Sequence, residues 1–250
     1  MKKTLLHILL ILILFISCKN VETTKELLIY TGSTMVEPMV EIVAVVEKEE
    51  NCKIHIIKGG SGNLYQAIVH SKQGDLYLSG SESFIVEGIN KDTFITDTVV
   101  IGRNRAVLMV QKGNPKKVTK DIDVLSKQEL RNVLASTGGA IGQKTKMILD
   151  QYNTYEQYRA KSEYLVIDSE GLISALKEDK ADVVINWFAT CLRGDNRSFI
   201  DVIEIDSRIT TEEKLVFGLL KYSKHPEIAK KIMNLARSKR GENIFKKHGF

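Results

Sequence analysis

Cysteine is scarce here: three residues in 250 are too few to build a fold around disulfides, and a chain of this length needs no such staple. Cys18, Cys52 and Cys191 also lack paired neighbours at ligand spacing, so they form no metal site. Histidine is equally thin. The five present are scattered, no His-Glu-x-x-His run occurs, and no serine sits in a Gly-x-Ser-x-Gly elbow, so the chain reads as a non-enzyme that requires no metal or cofactor. An excess of positive charge is missing too. Of 36 basic and 31 acidic residues, Lys2 and Lys3 belong to a leader, which leaves 34 against 31 and argues against a nucleic-acid partner. Lys230, Lys231, Lys239, Lys246 and Lys247 alternate with apolar helix positions and read as a solvated face. Neither a fixed-period repeat nor a low-complexity tract is visible.

Long hydrophobic runs are confined to the start. Lys2 and Lys3 precede Leu5 to Phe15, apolar except for His7, which is short for a membrane span of roughly 20 residues and fits a secretory signal. Phe15-Ile16-Ser17-Cys18 resembles the lipobox of bacterial lipoproteins, in which the cysteine is lipidated and becomes the first mature residue. The expected layout is a signal peptide over 1–17 and a polar tether over 18–25, leaving enough chain for one large or two modest domains outside the cytoplasm. Cys52 and Cys191 then remain as two buried thiols or a pair.

What the chain does have is three stretches of small or hydroxylated residues, each set between a strand-like and a helix-like run. They are Thr31-Gly32-Ser33-Thr34-Met35, Gly59-Gly60-Ser61-Gly62-Asn63-Leu64 and Gly138-Gly139-Ala140-Ile141-Gly142. A helix N-terminus carries unpaired amides and the positive end of a dipole, so several converging on one point can hold a desolvated anion without a cationic side chain. The surrounding pattern is a repeated strand, loop and helix. Leu27 to Tyr30, Lys53 to Ile57 and Asp75 to Ser79 read as strands, and apolar spacing predicts helices from Val36 and after Gly62. This rhythm implies an α/β protein with mainly parallel sheets flanked by helices. Further on, Ser126 and Glu129 suggest a capping box opening a helix toward Leu134, and Lys144 to Tyr158 reads as one helix. Glu163 to Ile167, Asp182 to Trp187 and Val202 to Ile205 read as strands, Gly171 to Glu178 as a helix, and the chain from Pro226 onward as outer helices.

Taken in order, Gly59-Gly60-Ser61-Gly62, Gly74 to Ser79, Asn104 to Val110 with Lys112-Gly113-Asn114-Pro115, Lys180 to Ile185 and the ending Gly241 to Phe250 resemble the bacterial type II periplasmic solute-binding proteins. Within them the likeness is to the molybdate-binding proteins of ABC importers and their oxyanion-binding relatives. That resemblance implies two α/β lobes joined by two crossing strands, a ligand clasped between them, and delivery to an inner-membrane permease by a monomeric receptor. The crossings are expected near Val99 to Asn104 and Val202 to Asp206, giving a first lobe over 26–101 and 205–250 and a second over 102–204.

By the same resemblance, Ser33 or Thr34 supplies the first pocket hydroxyl and Ser61 the second, and Gly142 presents a backbone amide where relatives usually carry a proline-containing loop. Asp168 and Ser169 match a further amide-presenting position, where Asp168 is alternatively a plain helix cap. Trp187 stands where relatives place a tyrosine and is either a pocket wall or a core residue. Molybdate, tungstate and sulfate are fully ionised and offer acceptors only, which suits a site made of donors. Phosphate keeps a proton and wants a carboxylate, for which Asp75, Asp168 and Glu170 are the nearby candidates; Arg103 and Arg105 read as ion-paired or solvated. The expected ligand is molybdate or tungstate. Phosphate or another anion, or a lipoprotein acting as a sensor or interaction module, are the alternatives.

Overall fold

The computed structural model describes residues 24–123, 125 and 129–250. The expected leader, Cys18, the tether up to residue 23 and Ser126 lie outside the described residues. Strand β1 (Lys25–Gly32) runs parallel to β2 (Cys52–Gly59) on one side and β3 (Leu76–Ser79) on the other. Its apolar run is continuous because both faces are covered: Leu27 and Ile29 point into one buried cluster, while Leu28 and Tyr30 pack into another. Helices α1 (Val36–Glu50), α2 (Ser61–Ser71) and α3 (Glu82–Asn90) follow the three strands in turn. The first two stop at left-handed residues, Asn51 and Lys72, and Ser81 caps the start of the third.

After β4 (Ile95–Asn104) the chain crosses at Arg105 into β5 (Ala106–Gln111) and builds a second sheet. That sheet continues through β6 (Asn132–Ala135), α4 (Ala140–Asp150), α5 (Tyr155–Ala160), β7 (Ser162–Val166), α6 (Ser169–Lys177) and β8 (Val183–Trp187). A single-turn helix α7 (Phe188–Cys191) and β9 (Ile200–Glu204) complete it. The return crossing leads to β10 (Glu213–Leu220) in the first sheet, followed by α8 (Pro226–Arg237) and α9 (Lys239–Lys247) on the outside.

The two sheets have matching orders, β2-β1-β3-β10-β4 and β7-β6-β8-β5-β9. In each, the strand that arrives from the other lobe lies fourth and runs against its neighbours: β10 pairs antiparallel with β3 and β4, and β5 with β8 and β9. The result is the expected two-lobed α/β architecture. Cys52 and Cys191 are free and buried.

Three local expectations need correction. The stretch toward Leu134 is strand β6 and not a helix, because Val133 and Leu134 are wholly buried in a strand that pairs with both β7 and β8. Lys144 to Tyr158 is two helices, broken where Asn153 adopts a positive φ of 54°. And β4 stays in the first sheet beyond residue 101, since Arg103 and Asn104 still pair with Lys214 and Glu213.

Candidate functional site

Parallel strands followed by helices put every strand's C-terminal end on the same edge of the sheet, and a crevice forms where two such edges meet. In the first lobe, β1 ends at Gly32 and enters a tight turn, Ser33–Met35, before α1. Gly59 and Gly60 lead from β2 into α2 at Ser61, and Gly80 follows β3. In the second lobe, Gly139 precedes α4, Asp168 precedes α6, and Trp187 ends β8. These six strand ends line one hollow: Gly32 to Met35, Gly59 to Ser61 and Gly80 face Gly139 to Ile141, Ile167 to Ser169 and Trp187. It leaves about 20 Å³ for the centre of a water-sized guest. That corresponds to an occupant of roughly 3 Å radius once the sphere's own 1.4 Å is added, the size of a four-oxygen anion and too small for a sugar or amino acid.

The wall mixes apolar side chains with the polar Ser33, Thr34, Ser61, Asp168 and Ser169 and, among the described residues, carries no lysine, arginine or histidine. Ser61 Oγ accepts a hydrogen bond from the Gly80 amide at 3.0 Å, which leaves its own proton free to point inward. Its backbone is held from behind by Tyr77, whose hydroxyl donates to the Ser61 carbonyl at 2.8 Å; burial pushes the Tyr77 phenol well above its ordinary value. Thr34 and Ser169 are 5% and 4% exposed and their hydroxyls have no partner among the described residues. Trp187 is 2% exposed, and its indole N–H likewise finds no acceptor among them. Asn186 sets both Trp187 and Ser169: its Oδ1 accepts from the Trp187 amide at 2.8 Å and its Nδ2 donates to the Ser169 carbonyl at 3.1 Å. The first amides of α2 and α4 have no acceptor within their helices and no side-chain cap, and add further donors.

Asp168 is the one carboxylate in the wall. Its Oδ1 caps α6 by accepting from the Glu170 and Gly171 amides at 3.1 Å each, and its Oδ2 accepts from the Ser33 hydroxyl of the opposite lobe at 2.8 Å. The other carboxylates lie elsewhere. Asp75 is tied to the Leu28 amide and the Ser223 hydroxyl. Glu170 pairs with Arg193 at 2.6 Å and Lys58 at 3.5 Å; burial alone would raise its pKa, but the Arg193 and Lys58 partners win and hold it below its ordinary value.

Of the residues expected from sequence, Ser33, Thr34, Ser61, Asp168, Ser169 and Trp187 all line this hollow. Gly142 does not: it is the third residue of α4, packed so closely on the Ser136 backbone that an added Cβ would lie 2.0 Å from the Ser136 carbonyl oxygen, and Gly139, Ala140 and Ile141 occupy the wall instead. Gly80, Tyr77 and Asn186 were missed as site residues. Gly80 follows a strand as Gly32 and Gly60 do, and that shared rhythm is the signal that marks it. Arg105 is bound to Glu204 at 2.9 Å and lies 3.6 Å over the Phe188 ring, so both face a separate hollow at the crossing.

The lobes meet closely around the site. A Cβ on Gly62 would lie 1.6 Å from the Gly138 carbonyl oxygen, and one on Gly60 2.8 Å from that of Ile167, so glycine alone permits this approach. Arg193 of the second lobe reaches Glu37 of α1 at 3.4 Å, and Ser83 donates to Gln143 at 3.1 Å. Lys144, 4% exposed, binds Glu213 at 3.0 Å and the Thr211 carbonyl at 2.9 Å beside the return crossing. Among the described residues no cluster of acidic, cysteine and histidine side chains could hold a metal, and no helix is long and apolar enough to cross a membrane.

Comparison with known proteins places this geometry. The family model described as bacterial extracellular solute-binding protein matches residues 27–250. A Haemophilus influenzae protein that carries the name of a binding protein, with no ligand specified, is 25% identical over 228 residues, 90% of each chain. The fold is also that of the periplasmic molybdate-binding protein of Azotobacter vinelandii (TM-score 0.74, 14% identity, 89% of this chain and 97% of that one). PEB3 of Campylobacter jejuni, solved with L-phospholactate bound, is similar as well (TM-score 0.69, 17% identity, 89% and 98%).

Proposed function

The chain belongs to the bacterial extracellular solute-binding proteins, and from that premise we propose that it is the receptor of an ABC importer and closes its two lobes on one small oxyanion. The family is one of binding proteins, not enzymes. The observation that carries the reading is the hollow itself: Trp187, Thr34, Ser61 and Ser169, side chains able to donate, line a space the size of a four-oxygen anion from both lobes, with no cationic side chain in the wall among the described residues. An anion is an acceptor for such donors, and each hydrogen bond to a charged guest contributes about 1.5 to 3 kcal/mol. Because the donors come from both lobes, they are satisfied together only when the lobes are shut, so binding and closure are coupled. The closed receptor is then the form that docks on an inner-membrane permease as a monomer.

Molybdate and tungstate are the ligands that the resemblance puts first, and the Azotobacter vinelandii neighbour is named for molybdate. Within the same reading, Thr34, Ser61, Ser169 and Trp187 donate to the guest, while Ser33 and Asp168, already bonded to each other, contact it. Residues 1–17 are a lipoprotein signal, 18–25 a tether from lipidated Cys18, 26–104 with 205–250 the first lobe, and 105–204 the second. Titration calorimetry of the mature chain with molybdate, tungstate, sulfate and phosphate tests the ligand class, and absence of heat with all four removes it. Release of a Cys18→Ser variant from membranes into the soluble fraction tests the anchor; retention in the membrane fraction would count against lipidation.

A further inference from the structure

We propose that Asp168 makes this cleft select an oxyanion that still carries a proton, inorganic phosphate or arsenate, over the fully ionised molybdate, tungstate and sulfate. This deepens the oxyanion reading above and rests on it. Apart from Ser33, whose proton goes to Asp168, the other polar side chains that line the hollow can donate: the hydroxyls of Thr34, Ser61 and Ser169, and the indole N–H of Trp187. Asp168 can only accept. Its Oδ1 is filled by the Glu170 and Gly171 amides, and its Oδ2 receives one bond, from Ser33. A carboxylate oxygen has room for two donors, so Oδ2 keeps one acceptor position.

The carboxylate cannot turn away without giving up the cap of α6 and the contact to the opposite lobe. No lysine, arginine or histidine lines the hollow to offset its charge. A guest that offers only acceptors therefore sets one of its oxygens against the Asp168 lone pair, acceptor to acceptor. A guest with one O–H directs that proton to Oδ2 and gives its remaining oxygens to the donors. Phosphate and arsenate keep such a proton at neutral pH. A phosphate monoester has largely lost its last proton there, its second pKa being about 6, so inorganic phosphate is preferred to an ester of the same size.

A plain helix cap is the competing explanation, and Asp168→Asn separates the two. Asparagine caps a helix as well as aspartate does, so α6 keeps its cap, while the second oxygen becomes an amide donor. Equilibrium binding of phosphate, arsenate, molybdate, tungstate and sulfate to the wild-type chain and to Asp168→Asn is the experiment, with thermal melting to compare the two folds. Wild type is expected to bind phosphate or arsenate at least roughly 10-fold more tightly than the other three, and the variant to lose roughly 10- to 100-fold for phosphate while gaining for sulfate or molybdate. Wild-type preference for molybdate, tungstate or sulfate overturns the proposal on its own, even if the variant fails to fold. An unchanged ranking in a folded variant reduces Asp168 to a cap. Wild type that binds none of the five anions removes the oxyanion reading together with this one.

Discussion

The two halves of the cleft wall are built from the same strand-end geometry and different chemistry. The first lobe presents Gly32-Ser33-Thr34, Gly59-Gly60-Ser61 and Gly80, small residues whose hydroxyls and amides donate to any anion brought close. The second presents the small Gly139, Ala140 and Ser169 as well, but adds the bulkier Ile141, Ile167 and Trp187 and the one carboxylate of the wall among the described residues, Asp168. One half receives and the other discriminates. Glycine is what allows the first half to approach the second, since Gly60 and Gly62 lie against carbonyl oxygens across the cleft.

The sharpest way to break that arrangement is Gly62→Ala. Its Cβ would stand 1.6 Å from the Gly138 carbonyl oxygen, backbone that cannot give, so the lobes must part. We expect ligand affinity to fall on the order of 100-fold and small-angle scattering to report a longer particle. Gly138→Ala, on the other side of the same contact, meets only the Ser136 hydroxyl at 3.5 Å and should bind normally. Equal behaviour of the two variants would refute a closed cleft that depends on Gly62.

Ser61→Ala probes the receiving half. It removes a donor and also strands the Gly80 amide, and should weaken binding by about 1 to 3 kcal/mol in calorimetry; unchanged affinity makes Ser61 a turn residue only. Trp187→Phe probes the discriminating half by deleting one N–H while keeping most of the ring's bulk, at a cost of about 1 kcal/mol. Because Trp187 is the sole tryptophan of the chain, its emission should change as wild type closes on ligand, and a flat titration alongside measurable binding heat would place the indole away from the guest.

The smallest effect belongs to the rim. Arg193 of the same lobe and Lys58 across the cleft hold the folded Glu170 carboxyl below its ordinary 4.5, so its stabilising contribution is complete above that value and lost as pH falls through the lowered one, and only the Lys58 share of it bears on closure. Glu170 is 38% exposed, which keeps the contribution under about 1 kcal/mol. The ligand-free wild type should therefore loosen below pH 4.5 in scattering, and Glu170→Gln should be looser at neutral pH and flatter across the range. Identical pH curves for the two would exclude this latch.

The receiving half was legible in the sequence because its chemistry is local. Glycines and hydroxyls between an apolar run and a helical period declare a strand end, a turn and a cap within a few residues, and Ser33, Thr34 and Ser61 lie where that pattern puts them. The discriminating half depends on partners far away in the chain. Nothing near Asp168 announces the Ser33 hydroxyl, 135 positions earlier, and nothing near Trp187 says whether its N–H is satisfied. The same limit governs the fold. Strands with continuous apolar runs flanked by glycine were readable, whereas β10 was not recognised and β6 was taken for helix. The Asn132–Ala135 strand is only four residues long, so burial between neighbours, and not local preference, decides its state. Gly142 was displaced for a related reason: the loop Gly138 to Gly142 offers several glycines, and only the packing of Ser136 decides which of them faces the cleft.

The place of β10 also orders the birth of the molecule. Residues 213–220 lie between β3 and β4, and among the described residues β4 has no other strand beside it. Every strand of the second sheet, by contrast, falls between residues 106 and 204. As the polypeptide emerges, the later-numbered lobe can assemble from neighbours in one continuous segment, while the earlier one must wait with an open seam until its missing strand is synthesised. A chain interrupted before residue 213 is therefore left with half a clasp, and maturation of the anion trap is timed by one of its last strands to be made.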